Sequence, residues 1–182
     1  TIIFPLIMGY TVRIYSGAKP APDVGNWVRT FIDGLKLFII GIIYSIPVFI
    51  VALIFGVPAA MAGDPATAAG TIGIGLLVVI IVGILVSLIS MIGIIRFARK
   101  NSMGQAFAFG AILEHIGKIG WGSYILALII LWVVAIIFGF IAVALALIPF
   151  IGWLILLFLY PVWFIFVARY VTLIYESAPE PA

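Results

Sequence analysis

The sequence predicts an all-α fold, a polytopic transmembrane helical bundle with interfacial amphipathic helices. Of its 182 residues, 66% are hydrophobic and only 8% are charged, whereas a soluble domain is about half apolar and about a quarter charged. The mean hydropathy is +1.44. Four apolar runs without a charged residue or histidine are long enough to cross about 30 Å of hydrocarbon. We therefore expect residues 1–182 to form a single membrane domain.

The first element is a short apolar run. Residues 1–10 are apolar enough for helix but give only about 15 Å, half of a span. No basic segment precedes them, as a signal peptide would require. We therefore predict a partial span over residues 1–12 that upstream residues of the native chain complete. The three hairpin exits resemble one another weakly, which predicts a sixth span upstream.

The four full spans are predicted at residues 37–57, 72–95, 121–147 and 151–168. A loop of small residues, 59–71, follows the first of them, and a turn containing Pro149 joins the last two. Pro47 and Pro161 interrupt two spans. These prolines either free backbone carbonyls for a ligand or kink the helices, and kinking is the commoner role.

Two interfacial helices are predicted, at residues 23–36 and 102–118, because both connections are too apolar for open loops. In the first, Arg29 and Asp33 stand four residues apart and are expected to pair. In the second, Ser102 followed by Gln105 is typical of a capping box, which would start the helix there.

The second interfacial helix has a polar side and an apolar side in the sequence. Its apolar stripe consists of Phe109, Ile112, Ile116 and Ile119. Glu114 and Lys118 are expected to pair on the polar side, with His115 beside them on a solvated face.

The basic residues predict the orientation, because Lys and Arg near span ends stay on the cytoplasmic side. All nine fall in the same two connections or after the last span, whereas the other two loops carry only Asp64. We therefore expect a multi-pass protein of the cell membrane with a cytoplasmic C-terminus. The Asp64 loop and the Pro149 turn would face outside.

Several short motifs resemble a known family. They are Pro22, Trp27, Phe31, Ile32, Asp33, Gly34, Leu35 and Lys36, then Tyr44 and Pro47, then Arg96, Phe97 and Ala98 with Ala106, Phe107, Ala108 and Phe109. The chain resembles, over most of its length, the prokaryotic membrane-protein family catalogued as domain of unknown function 4013. The resemblance implies several membrane helices and an upstream part, and it implies no activity.

The residue inventory argues against catalysis. Cysteine is absent, which excludes disulfides and thiolate chemistry. A lone His115 does not supply the three or four ligands of a metal site, and the carboxylates are too dispersed to act as an acid and base pair. The glycines at 70, 73 and 75 mimic a phosphate-binding fingerprint but follow no strand, and they are expected to start a helix. We expect no catalytic, cofactor-binding or metal-ligating residue and no nucleic-acid binding.

The spans do carry small residues one turn apart, which allow helices to approach closely in lipid. These are Gly41 with Ser45, Gly83 with Ser87, Ala135 with Gly139, and Ala142 with Ala146. They predict tight packing, either inside the bundle, which is the commoner use, or against a partner subunit.

Together these features favour a non-enzymatic scaffold or accessory subunit of a membrane assembly. Its partners would be anionic headgroups on the cytoplasmic side and other membrane subunits. The residues predicted to contact headgroups are Arg13, Arg29, Lys36, Arg96, Arg99 and Lys100; setting the topology alone is their alternative role. The alternative function is a transporter or channel for a neutral or lipid-like solute, built around the helices interrupted by Pro47 and Pro161.

Overall fold

The computed structural model describes residues 3–17 and 25–179. Their helices are α1 (Ile3–Tyr15), α2 (Trp27–Met61), α3 (Pro65–Lys100), a 3₁₀ helix (Met103–Phe107), α4 (Phe109–Ile119), α5 (Trp121–Ala146) and α6 (Ile151–Glu176). No strand occurs in these two ranges. The predicted all-α fold is therefore confirmed. The start of the predicted helix 23–36, with Asp23, lies outside the described residues.

Four of the helices, α2, α3, α5 and α6, are long and apolar enough to cross a membrane. By the length and composition of these helices the chain is a multi-pass membrane protein. The helices α2 and α3 contain 35 and 36 residues, about 52 to 54 Å of helix, so each is longer than the hydrocarbon layer. The charged residues of α2 all lie in its first ten positions, ending at Lys36. Residues 27–36 are thus continuous with the following span.

The connection between α2 and α3 is shorter than predicted. The expected small-residue loop 59–71 is wrong, because α2 continues to Met61 and α3 begins at Pro65. Asp64 accounts for the early start: its carboxylate accepts a hydrogen bond from the Thr67 amide at 2.8 Å, and proline suits the first helical position. The Gly70 to Gly75 cluster consequently lies inside α3.

The capping box predicted at Ser102 is also wrong. The Ser102 side chain makes no capping hydrogen bond, and a 3₁₀ helix intervenes before α4 begins at Phe109. This 3₁₀ helix packs against α3 at Gly93, which has no side chain and so leaves room for the Ala106 carbonyl. The Tyr44 hydroxyl of α2 donates a hydrogen bond to that same carbonyl. A tertiary contact has therefore overridden the local capping signal.

The buried core lies toward the end of the bundle where α3 and α6 finish. Its larger cluster consists of Ile92, Ile95, Ile112, Ile116, Tyr124, Leu128, Leu131, Val171 and Tyr175. The Tyr124 hydroxyl ties α5 to α3 by donating to the Leu88 carbonyl at 2.6 Å. By contrast, only 6 to 17% of the most apolar window of each spanning helix is buried. The four helices are therefore packed together mainly at one end.

A very close backbone contact joins α1 and α2. A Cβ at Gly34 would lie 2.8 Å from the Gly9 nitrogen, and one at Gly9 would lie 2.6 Å from the Thr30 carbonyl carbon. Only glycine lets the two backbones approach this closely. These two glycines are the small-residue contact that the sequence analysis missed.

The glycines of the predicted small-residue stripes do not pack tightly inside the bundle. Gly41, Gly83 and Gly139 have no atom within 4 Å of an added Cβ, apart from their own helix and chain neighbours. The stripes instead line two open grooves. Gly41, Ser45, Gly83 and Ser87 line the groove between α2 and α3, and Gly139, Ala142 and Ala146 line the groove between α5 and α6. The expected tight internal packing is therefore absent at these three glycines, whereas Ala142 is buried.

Candidate functional site at the charged end of the bundle

The charged ends of several helices meet at one end of the bundle. Because α2 and α3 pack as an antiparallel hairpin across a three-residue connection, Arg29 and Arg96 lie at the same end. Arg13 at the end of α1 donates to the Asn26 carbonyl, just before α2, at 3.2 Å. Gly17, which follows α1, lies beside the Arg99 guanidinium. We call this region, formed by the ends of α1, α3 and α6, the start of α2, and α4, the charged end.

The start of α2 carries a small ion-pair cluster. Asp33 is a buried residue that lies 3.9 Å from Arg29 and 3.4 Å from Lys36, measured between side-chain nitrogen and oxygen. The predicted pairing of Arg29 with Asp33 is confirmed. Since 66% of the Arg29 side chain is exposed, this pair contributes little to stability. Arg29 nevertheless presents its charge at the surface.

Arg96 has a different environment from the other cations. Its residue is only 3% exposed, and one guanidinium nitrogen donates to the Gln105 side-chain oxygen at 2.9 Å. Its Nε and Nη1 atoms have no hydrogen-bond partner among the residues described. A buried guanidinium in this position secures the 3₁₀ helix against α3. Its burial argues against the headgroup contact predicted for this residue.

Arg99 connects α3 to α6. Its guanidinium donates to the Glu176 carboxylate at 2.8 Å and lies 4.9 Å from the centre of the Tyr175 ring, a cation–π arrangement. Glu176 is the last residue of α6, so the ion pair joins the ends of two helices. The sequence predicted Arg99 as a headgroup contact. In the structure it connects the ends of α3 and α6.

The prediction that His115 lies on a solvated helix face is wrong. It is fully buried, its ring stacks on that of Tyr175 with centroids 4.0 Å apart, and its Nε2 lies 3.0 Å from the Tyr175 carbonyl oxygen. The reason is helical periodicity, because His115 falls three residues after Ile112 on the apolar stripe. That spacing would have revealed its burial. His115 therefore joins α4 to α6.

The polar side of α4 matches the prediction. Glu114 and Lys118 pair at 2.8 Å between carboxylate oxygen and ammonium nitrogen. The hydrogen bond and charge of Lys118 hold the pKa of the Glu114 carboxyl below its ordinary value. At the opposite end of the bundle, hydrogen bonds from Thr67 likewise lower the pKa of Asp64. Both carboxylates are anionic at neutral pH.

The exposed cations of the charged end are few. Lys100 is exposed and Lys36 is about one-third exposed at its side chain, while Arg13 is half-buried against Asn26. Within residues 3–17 and 25–179, no group of three His, Asp or Glu residues is placed to hold a metal ion. What this region offers chemically is a surface of positive charge on a well-packed helical end.

Comparison with known proteins gives one positive result. No curated protein and no solved structure matches the chain. The family described as protein of unknown function (DUF4013) matches residues 1–147, about four-fifths of the chain, including all of α1 to α5. The chain therefore belongs to the DUF4013 family of proteins of unknown function.

Proposed function

We propose that this protein is a non-enzymatic scaffold or accessory subunit of a membrane assembly. In this proposal the charged end faces the cytoplasm and rests against anionic lipid, while the spanning helices receive the helices of a partner subunit. The observation that carries the proposal is the pair of open grooves between α2 and α3 and between α5 and α6.

The grooves support a partner because their glycines make no internal packing contact. In lipid, apolar surface alone does not drive helices together, and small residues promote association by letting helices approach closely. The grooves bring such residues together on neighbouring helices, as with Gly41 and Gly83, yet leave them uncovered. The hydroxyls of Ser45 and Ser87 bond to carbonyls of their own helices, so neither groove wall demands a polar ligand. A neighbouring helix is the occupant that such a surface suits.

The test uses two matched glycines of α3. Gly83 lines the groove and Gly73 does not, and an added Cβ meets nothing within 4 Å at either position. Leucine at either site should therefore leave the isolated bundle folded. After gentle purification from native membrane, we expect a stoichiometric companion with the wild type and with Gly73→Leu, and its loss with Gly83→Leu. A protein that purifies alone, or a companion lost equally with both variants, would contradict the proposal.

The lipid part of the proposal rests on the exposed cations. Arg29 and Lys100 present charge at the surface, whereas Arg96 and Arg99 are engaged inside the bundle. Each exposed cation near an anionic membrane contributes about 1 kcal/mol of attraction. Cross-linking to photoreactive phosphatidylglycerol should therefore fall when Arg29 and Lys100 are both changed to glutamine. Unchanged labelling would contradict the headgroup contact and leave setting the topology as the role of these two cations.

The alternative function is a carrier or channel for a neutral or lipid-like solute. It is favoured by an apolar cleft beside Pro161, the proline in the middle of α6. In proteoliposomes, passage of a fluorescent lipid analogue or of a small neutral solute would support this alternative. Liposomes as tight as protein-free controls would leave the scaffold as the better proposal.

A further inference from the structure

A narrow cleft lies between α1, α2 and α6. Its volume is about 330 Å³, within the range of small-molecule sites. Three walls enclose it, formed by Leu6 and Ile7 of α1, Thr30 of α2, and Phe164 and Ile165 of α6. The grooves between helix pairs have only two walls. The cleft therefore suits something thinner than a helix, whose diameter is about 10 Å.

The lining of the cleft favours an apolar occupant. Its atoms are almost all carbon, and its two threonines satisfy their hydroxyls within their own chain segments. Thr11 donates to the Met8 carbonyl at 2.6 Å, and Thr30 donates to the Asn26 carbonyl at 3.1 Å. A ligand with polar groups along its length would lose its own hydrogen bonds to water without replacement.

One end of the cleft is cationic. Arg13 lines it there, with the guanidinium positioned by the hydrogen bond to Asn26. Trp27 lies on the same end and is 60% exposed, and tryptophan is the residue most typical of headgroup depth. From Arg13 to Leu6 the cleft extends about 11 Å along α1, and its far part reaches Pro161 in the middle of α6.

We propose that this cleft binds a single anionic glycerophospholipid, with one acyl chain between the three helices and the phosphate group at Arg13. The inference rests on the proposed function only in placing the charged end at a membrane–water boundary. The apolar length accounts for the chain, the guanidinium accounts for preference for an anionic headgroup, and the three walls distinguish this site from the general lipid annulus.

The experiment compares two isoleucines of α6 with nearly equal exposure. Ile165 lines the cleft and is 44% exposed. Ile155 is 43% exposed and lies outside the cleft, ten residues earlier on α6, about 15 Å along the helix. Wild type, Ile165→Trp and Ile155→Trp are reconstituted in nanodiscs containing equal phosphatidylglycerol and phosphatidylcholine, extracted into mild detergent, and analysed by native mass spectrometry. We expect about one retained phosphatidylglycerol per wild-type or Ile155→Trp chain, and at least a fivefold decrease with Ile165→Trp. Equal retention by the two tryptophan variants would overturn the proposal.

A second pair of variants tests the headgroup contact without filling the cleft. Arg13→Gln should lower the preference for phosphatidylglycerol over phosphatidylcholine about fivefold while a lipid is still retained. Lys118→Gln, which removes an exposed charge outside the cleft lining, should leave that preference unchanged. No preference in the wild type, or an equal decrease in both variants, would refute the assignment. If the wild type retains no phosphatidylglycerol but still purifies with the Gly83-dependent companion, this site is refuted and the scaffold proposal stands.

Discussion

Replacing Gly34 with alanine should separate α1 from α2. An added Cβ at this position would lie 2.8 Å from both the Gly9 nitrogen and the Pro5 carbonyl carbon, and closer still to the Pro5 oxygen. Since carbon atoms make good contact at about 3.5 Å, α1 would have to move by about 1 Å or more. Overpacking of this kind costs about 1 to 3 kcal/mol.

Gly41→Ala is the matched control on the same helix. Its added Cβ meets no atom within 4 Å, so only the intrinsic helix preference of alanine, about 1 kcal/mol over glycine, should act there. That gain is common to both variants, and their difference isolates the steric cost. We therefore expect Gly34→Ala to be less stable than Gly41→Ala by about 1 to 3 kcal/mol.

The assay is unfolding by sodium dodecyl sulfate in detergent micelles, followed by circular dichroism. A cysteine pair across α1 and α2 supplies a second readout, because its oxidation should slow when the helices separate. If both alanine variants shift the unfolding midpoint in the same direction by the same amount, α1 does not pack on α2 as described.

Three further predictions concern the 3₁₀ helix and α4. Tyr44→Phe removes the hydrogen bond to the 3₁₀ helix and should cost about 1 to 3 kcal/mol because a buried carbonyl is left unpaired; an unchanged unfolding midpoint would contradict it. Ile112→Ala empties a fully buried site and should cost about 2 to 5 kcal/mol, whereas Leu113→Ala, at a surface position, should cost little; equal effects would mean that α4 is rotated. Glu114 should titrate below its ordinary pKa of 4.5, so its pairing is present above that pH and is lost as the pH falls through the lowered value. A carboxyl carbon NMR titration measures this, and Lys118→Met should return the midpoint toward 4.5.

Local features of this chain were predictable from the sequence. The four spanning helices follow from apolar length alone. The pairs Arg29 with Asp33 and Glu114 with Lys118 follow from a four-residue separation on a helix. Such features depend on residues that are close in the sequence. A helix brings those residues together whatever the tertiary arrangement.

Tertiary features were not predictable in the same way. The contact of Gly9 with Gly34 depends on which helices cross, and their separation in the sequence carries no signal of it. The four-residue spacing of Gly83 and Ser87 predicted a helix contact. That spacing does not indicate which neighbouring helix covers them, and in the structure they line an open groove. Ser102 lost its capping role to the docking of the 3₁₀ helix. His115 was the exception, because its position on the apolar stripe was readable and was overlooked.

The central proposal is that the charged end lies at one face of the membrane, and that this face is cytoplasmic. The absence of cysteine allows a direct test with single-cysteine variants Gly63→Cys, Ser102→Cys and Ser177→Cys, all at exposed positions. A membrane-impermeant maleimide applied to intact cells should label position 63 only, and positions 102 and 177 should react after permeabilisation. Labelling of position 177 from outside, or of 102 and 177 from opposite sides, would contradict the account.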